Sequence, residues 1–286
     1  MCRAFLLLFL AGALRAERFK VASWNVENYN LTGRMTDGVR RQDYPKSEQA
    51  KARLRLVIRA MDADVLALQE MGGPAFVEEL RRDLETEGLR YPHAVCLEGP
   101  DPDRRTAILA KRPFAAVRRE PRIETGFALP SPRETVALVN RGLLGVTVRA
   151  AGHDVAIVTI HLKSRLTRDP RDPRGEGERR AEAAAIRARL SPAGFLLLCG
   201  DFNDGPAAAA TSLFARDFLL RLDPADAAGE TWTYRNDRKG PMNRSDYLFV
   251  SPALRPRVIR TAVIDSPSVR LASDHRPLLT VFELPP

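Results

Sequence analysis

From residue 17 onward, apolar positions fall into short alternating or continuous runs divided by polar punctuation, with two stretches of helical period in the first third. FKVASW (Phe19–Trp24) alternates and stops at Asn25, which predicts a strand presenting polar side chains at its C-terminal end. Tyr29–Tyr44 is polar, carries Gly33 and Gly38, and reads as a loop. In Ser47–Met61, Ala50, Leu54, Val57, Ile58 and Met61 recur at helical spacing and predict an amphipathic helix. Asp64–Leu68 reads as a buried strand ending at Gln69 and Glu70. Gly72-Gly73-Pro74 then breaks the chain, and helical period returns over Ala75–Glu87 through Phe76, Leu80 and Leu84.

Strands are expected at Ala94–Leu97, Thr106–Ala110, Val136–Val139, Leu143–Arg149 and Val155–Ile160. Lys163–Arg180 has no apolar period. Its prolines, glycines, seven basic and four acidic residues read as a solvated, mobile loop. A helix at Ala181–Leu190 and a strand at Phe195–Cys199 follow, the strand feeding Gly200-Asp201. Beyond a helix near Ala208–Phe218, strands are expected at Thr231–Tyr234, Tyr247–Val250 and Leu278–Phe282. There is no internal repeat and no linker, so residues 17–286 form one domain. Two helix-strand alternations followed by many strands point to a mixed α/β architecture, two sheets packed face to face with helices outside.

The longest apolar run, Ala4–Leu14, is too short for a membrane helix, which needs about 20 residues. Arg3 before it and Ala11, Gly12, Ala13 and Ala16 around its exit describe a secretory signal peptide over residues 1–16, with export to the periplasm or beyond. No stable membrane insertion is expected. Cys96 and Cys199 then remain; two cysteines are no disulfide framework, and both lie in apolar strand-like runs, as buried thiols do, although one bridge is allowed in an oxidising compartment. No Cys/His spacing resembles a zinc site. A composition of 44% apolar and 28% charged residues excludes disorder and low complexity. The net charge of +9 falls by two once Arg3 and Arg15 leave, and it favours polyanions: nucleic acid, phosphorylated small molecules or acidic headgroups.

Polar groups recur where apolar strands end: Asn25, Glu70, His161, Asp201 with Asn203, Asp246, and Asp274 with His275. Strand ends on one side of a sheet can converge on one cleft. Carboxylates, amides and imidazoles gathered there would make an oxygen-rich site for a hard divalent cation, Mg²⁺ with Mn²⁺ or Ca²⁺ as substitutes. Asp201 and Asn203 flank Phe202 and point the same way in an extended segment. His93 and His153 read as structural or solvated. Arg104 and Arg105 could reach a phosphate from a cleft rim or simply be solvated.

Six segments carry a resemblance. SWNVEN (Ser23–Asn28), LALQE (Leu66–Glu70), TIHLKS (Thr159–Ser164), GDFND (Gly200–Asp204), RSDYLFVSP (Arg244–Pro252) and SDHRPL (Ser273–Leu278) resemble, in order, motifs of the endonuclease/exonuclease/phosphatase superfamily. This superfamily takes in DNase I-like nucleases, exonuclease III-type repair enzymes, bacterial sphingomyelinases and inositol polyphosphate 5-phosphatases. The resemblance implies a four-layer α/β sandwich of two mixed β-sheets. It implies metal ligation by Glu70 and Asp274, with Asn25 orienting the metal shell or the phosphate. Asp201 would activate or orient the attacking water, Asn203 bind the scissile phosphate and His275 contact a phosphate oxygen. Asp246 would fix the tautomer of His275, and His161 act near the leaving group. Glu27 sits where some relatives place a second acidic ligand, yet solvation explains it as well. The family's Arg-Ile-Asp-Tyr is here Arg244-Ser245-Asp246-Tyr247, and serine for a buried isoleucine is expected to loosen the strand.

The expected activity is metal-dependent phosphodiester hydrolysis, most of all of DNA and also RNA, by a monomer with no protein partner. The net charge, the basic Lys163–Arg180 segment and HLKS support a nucleic acid substrate. An inositol phosphatase would carry Pro-Ala-Trp-Cys-Asp-Arg where this chain has Gly240-Pro241-Met242-Asn243-Arg244, and a sphingomyelinase an exposed aromatic hairpin, whereas only 7% of residues are aromatic. A phospholipid or small phosphoester stays the alternative. A non-catalytic binder would have lost cleft groups that are all present.

Overall fold

Strand β1 (Glu17–Tyr29) outruns the alternating segment because both its faces are covered: Phe19 and Val21 join one buried cluster, Ala22, Trp24 and Val26 another. The protein is described by a computed structural model over residues 16–129, 136–167, 169–215, 217–236 and 241–286. The apolar run read as a signal peptide, up to residue 15, lies outside the described residues.

After β1 come β2 (Leu31–Thr36), β3 (Val39–Pro45), α1 (Glu48–Met61), β4 (Val65–Met71), α2 (Pro74–Thr86), β5 (His93–Leu97) and β6 (Arg105–Ala110). The middle of the chain forms β7 (Phe114–Glu120), β8 (Glu124–Ala128), β9 (Val136–Leu138), β10 (Leu143–Ala150), β11 (His153–His161) and α3 (Glu176–Arg187). It closes with β12 (Phe195–Asp201), α4 (Ala209–Ala215), β13 (Leu220–Leu222), β14 (Asp246–Val250), β15 (Val258–Val263), α5 (Pro267–Ala272) and β16 (Leu278–Leu284).

Two six-stranded sheets result, ordered β15-β16-β1-β4-β6-β5 and β13-β14-β12-β11-β10-β7. Each is mixed, with one central parallel pair, β1/β4 in the first and β11/β12 in the second. Between the sheets lie Phe19, Val21, Ile108, Val146, Ile157, Leu197 and Leu248. On the outer face of the first sheet pack Leu54 and Ile58 of α1, Leu80 and Leu84 of α2, and Val269 of α5. Ile186 of α3 and Phe214 of α4 cover the second. This is the expected four-layer sandwich. Ser47 caps α1 by accepting the Ala50 N–H at 3.2 Å. Cys96 and Cys199 are free thiols, Cys199 buried.

Several local expectations need correction. The segment read as a loop at Tyr29–Tyr44 is the β2–β3 hairpin, whose Asp37-Gly38 turn has φ of 53° and 75°. Asp-Gly between polar strands was the available signal, hidden because the strands have no apolar face. Lys163–Arg180 is not solvated throughout: α3 begins at Glu176, and Arg179 is buried against Asp204 at 3.1 Å. Thr231–Tyr234 makes only isolated bridges at Tyr234. β7 escapes a reading by hydrophobic period because it is an edge strand with one neighbour, exposed along much of its length; β15, an edge strand of the other sheet, also lies outside the expected strands. Among the described residues no helix is long and apolar enough to cross a membrane.

Candidate active site

Both parallel pairs end on the same side of the sandwich, and their ends are tied to each other. Asn25 stands beside Gln69 in β1/β4, and His161 beside Asp201 in β11/β12. The buried Gln69 amide donates to Ser23 Oγ at 3.2 Å and across the sheets to Thr159 Oγ1 at 2.8 Å. Asn25 Nδ2 makes a second cross-sheet bond, to Asp201 Oδ2 at 3.0 Å. Four strand ends are thereby held over one cleft of about 1090 Å³.

Local backbone irregularities aim the side chains. The β1/β4 register shifts between Asn25 and Tyr29, and the β4/β6 register between Leu68 and Met71. Within these bulges Glu27, Asn28 and Glu70 have φ of 50°, 50° and 61°. A left-handed conformation at non-glycine residues persists only where surroundings over-determine it. Here the Asn28 N–H donates to Glu70 Oε2 at 2.9 Å and the Glu27 N–H to Asn25 Oδ1 at 3.0 Å. Gly200 has φ of 138°, and a Cβ there would lie 2.0 Å from the Ile160 carbonyl oxygen, so the residue preceding Asp201 must be glycine.

Asp201 sits at the centre, 1% exposed. Its Oδ1 accepts the Asn203 N–H at 2.8 Å, and its Oδ2 lies 3.5 Å from His161 Nε2 and 3.8 Å from His275 Nε2. Burial pushes its carboxyl up to about 7. The two imidazoles are driven apart. Burial, then Arg141, His275 and Arg104, holds His161 well below its ordinary value, so it is neutral. Burial also opposes charge on His275, but Asp246 and Asp201 outweigh it and raise that imidazole well above its ordinary value. The His275 Nδ1 bonds Asp246 Oδ2 at 2.8 Å, while the His275 main-chain N–H donates to Ser273 Oγ at 3.0 Å and its main-chain carbonyl accepts from Trp24 Nε1 at 3.0 Å. The residue expected to loosen β14 instead serves this pair: buried Ser245 donates Oγ to Asp246 Oδ2 at 3.1 Å. The N–H groups of Ser245 and Asp246 both donate to Thr233 Oγ1 at 3.0 Å.

A second group of carboxylates, Glu70, Asp274 and Glu27, lines the cleft. Burial raises Asp274 to about 7; His275 relieves part of the shift, while Glu27 and Glu70 add repulsion. Mutually repelling carboxylate oxygens in a cleft are the donor set a hard divalent cation neutralises, so Glu70 and Asp274 fit that role. Asp201, Asp246 and His275 also place ligand atoms within 4.8 Å of one another, but Asp246 and His275 already bond each other there.

Of the eight site residues named from the sequence, Glu70, His161, Asp201, Asn203, Asp274 and His275 line the cleft. Asn25 and Asp246 stand behind it, each holding a lining residue. Asn25, expected among the metal-shell groups, has its amide committed to Asp201 and to the Glu27 N–H. Asn203 Nδ2 donates to the Leu162 carbonyl at 3.0 Å. His93 and His153 lie elsewhere, His153 bonding Pro285 O at 3.2 Å. Arg104 lines the cleft with Nε 3.9 Å from Glu70 Oε2, while Arg105 faces Glu98 at 3.9 Å.

Sequence reasoning missed Arg141, Tyr234 and Lys46. Arg141 is buried in the cleft wall and paired with Asp101 at 2.9 Å; its only signal is a polar Asn140-Arg141-Gly142 turn between apolar strands. Tyr234 lays its ring 4.8 Å from that of His275. Lys46 donates to the Glu27 carbonyl at 3.0 Å, and its burial lowers its pKa.

The sequence matches the Endonuclease/Exonuclease/phosphatase family over residues 22–275. No curated protein matches it. Among solved structures, one similar in fold is an endonuclease/exonuclease/phosphatase family protein from Leptotrichia buccalis C-1013-b, 16% identical with a TM-score of 0.65, covering 93% of this chain and 100% of that one. TDP2 of D. rerio, complexed with single-strand DNA product, is 18% identical with a TM-score of 0.63, covering 93% and 99%. An AP endonuclease from Archaeoglobus fulgidus is 16% identical with a TM-score of 0.63, covering 93% and 100%.

Proposed function

The chain belongs to the endonuclease/exonuclease/phosphatase family of phosphoric ester hydrolases, and from that premise we propose that it is a divalent-metal-dependent nuclease that hydrolyses DNA, with RNA as a second substrate, after export. The observation that carries the reading is Asp201 Oδ2 set 3.5 Å from His161 Nε2 and 3.8 Å from His275 Nε2 on a cleft flanked by arginines, the first imidazole held below its ordinary value by burial and the second raised by Asp246 and Asp201. Groups whose environments push their proton affinities apart divide acid and base roles at one pH.

Asp201, held by the Asn203 N–H on one oxygen and Asn25 Nδ2 on the other, takes a proton from the water that attacks phosphorus. The bond from water oxygen to phosphorus forms as the bond to the leaving oxygen breaks in line, and the departing oxygen takes its proton from solvent water. His275 donates from Nε2 to a phosphoryl oxygen, where charge builds in the transition state, while Asp246 holds its Nδ1–H. Asn203 and His161 contact the other non-bridging oxygen. A divalent cation, Mg²⁺ in this proposal, held by Glu70 and Asp274, would supply Lewis-acid charge at the phosphate.

A polymeric substrate is supported by the cleft. Its volume of about 1090 Å³ lies above the roughly 300–1,000 Å³ of small-molecule pockets. Arg104, Arg141 and Arg165 line it around the carboxylate centre. The TDP2 neighbour is bound to a DNA product, in agreement with this reading. Export rests on the residue 1–16 pattern, and β1 begins at Glu17, so cleavage there would spare every element among the described residues.

The test is Mg²⁺-dependent nicking of supercoiled plasmid by residues 17–286, with Glu70→Ala beside it. Nicking that disappears in EDTA and in the variant is the expected result. Hydrolysis of bis-p-nitrophenyl phosphate without nicking would overturn the nucleic acid assignment in favour of a lipid or small phosphodiester. Inactivity on both would overturn the enzyme.

A further inference from the structure

The β2–β3 hairpin rises from the cleft rim and contributes no residue to the three buried cores. It is a sheet of its own, inserted between β1 and α1. Arg34 Nη2 donates to the carbonyl of Asn28, a cleft residue, and Lys46 just past its end donates to the carbonyl of Glu27, another. Six residues of β2 at about 3.3 Å each carry the tip roughly 20 Å from that base.

What the hairpin displays is costly for a free-standing element. Register sets Arg34 directly opposite Arg41 and Met35 opposite Arg40. Like charges across a sheet destabilise it, and an isolated two-stranded hairpin is marginal by itself. Arg40 and Arg41 are exposed with no carboxylate partner among the described residues, Arg41 lying over the Tyr44 ring at 5.5 Å. Met35 and Val39 are exposed near the turn, at 59% and 58%. A polyanion beside the cleft would neutralise exposed Arg41, whose cross-strand neighbour Arg34 is held by the Asn28 and Tyr44 carbonyls, and would give exposed Arg40 a partner.

We propose that the β2–β3 hairpin is a nucleic-acid-binding arm. Arg41 and Val39 stand on one face of the hairpin and Arg40 and Met35 on the other, so the substrate strand beyond the scissile bond passes along the hairpin with a phosphate neutralised by an arginine, and sugars and bases against an apolar side chain, on each face. The proposal rests on the nuclease reading. A bilayer is the poorer fit, because Trp and Tyr are the residues favoured at headgroup level, whereas this turn is Asp37-Gly38 and Tyr44 sits at the base under Arg41.

The experiment compares wild type with Arg40→Ala/Arg41→Ala, both folded by circular dichroism, in Mg²⁺-dependent plasmid nicking over a salt series and in hydrolysis of bis-p-nitrophenyl phosphate. Expected are a fall of at least 5-fold in the ratio of plasmid to small-substrate activity, and a log–log salt dependence of kcat/KM shallower by roughly two, since each phosphate contact contributes about 0.9. An unaltered ratio and slope overturn the arm. Salt-sensitive sedimentation with phosphatidylglycerol vesicles that the variant loses, beside an unaltered DNA slope, overturns it in favour of a lipid surface. Wild type that hydrolyses bis-p-nitrophenyl phosphate but never nicks plasmid overturns the nuclease reading itself and the arm with it, an outcome visible before any variant is made.

Discussion

Asn25 Nδ2 donates to Asp201 Oδ2 over 3.0 Å, so the end of β1 in one sheet holds the carboxylate at the end of β12 in the other. Asn25→Ala removes that donor from a buried acid already raised by desolvation. A misplacement of about 1 Å costs on the order of 100-fold in rate, and turnover should fall by that much with KM little changed. An unpaired buried carboxylate oxygen also costs roughly 1–3 kcal/mol of stability, readable in urea unfolding. Wild-type turnover in the variant would refute the holding role.

Metal linkage gives a test that needs no substrate. Glu70→Ala removes a carboxylate from the repelling group formed with Asp274 and Glu27. Mg²⁺ at about 100 times its dissociation constant stabilises a protein that binds it only when folded by about 2.7 kcal/mol. Wild type should therefore melt higher in Mg²⁺ and lower again in EDTA, whereas Glu70→Ala should melt at one temperature in both.

The Asp246–His275 pair predicts a graded series. Asp246→Asn leaves the ring in place but denies it the carboxylate that favours the cation, and turnover should fall by roughly two to four orders of magnitude. Ser245→Ala removes only the second donor to Asp246 Oδ2, and the expected loss is several-fold, restored by Ser245→Thr. In the Asp246→Asn background Ser245→Ala should add little, because coupled groups are not additive.

Stability of the metal-free protein should fall as pH rises from about 4.5 through 7. Burial raises Glu182, Asp201 and Asp274 to about 7 in the folded chain. An acid bound more tightly to its proton when folded stabilises fully below its unfolded value and loses that contribution as pH climbs through the folded one. His275, also raised, acts in the same direction, while His161, lowered, favours the folded state above about 6.5 and opposes it below. Urea midpoints at pH 5 and pH 8 check the sign, and Mg²⁺ should shrink the difference. Glu182→Gln should lower stability at both, because Glu182 accepts the Asn140 N–H at 2.7 Å and the Lys163 N–H at 2.6 Å, and an amide has one acceptor oxygen.

Legibility followed the range of the forces involved. Strands buried on both faces, β1, β4, β11 and β12, announced themselves as apolar runs, and the polar residues closing them were visible as candidates because burial on both sides leaves a carboxylate or amide nowhere to go except the strand end. Edge strands such as β7 and the β2–β3 hairpin did not, since exposure removes the hydrophobic period from which a strand is read. Ser245 shows the limit best. By its type alone it was a defect in a buried strand, and only the fold placed its hydroxyl 3.1 Å from Asp246. Residue order determined which groups would stand at strand ends. The packing of two sheets decided which ends meet, because the Asn25–Asp201 and Gln69–Thr159 bonds join residues 176 and 90 positions apart, over distances that no local pattern encodes.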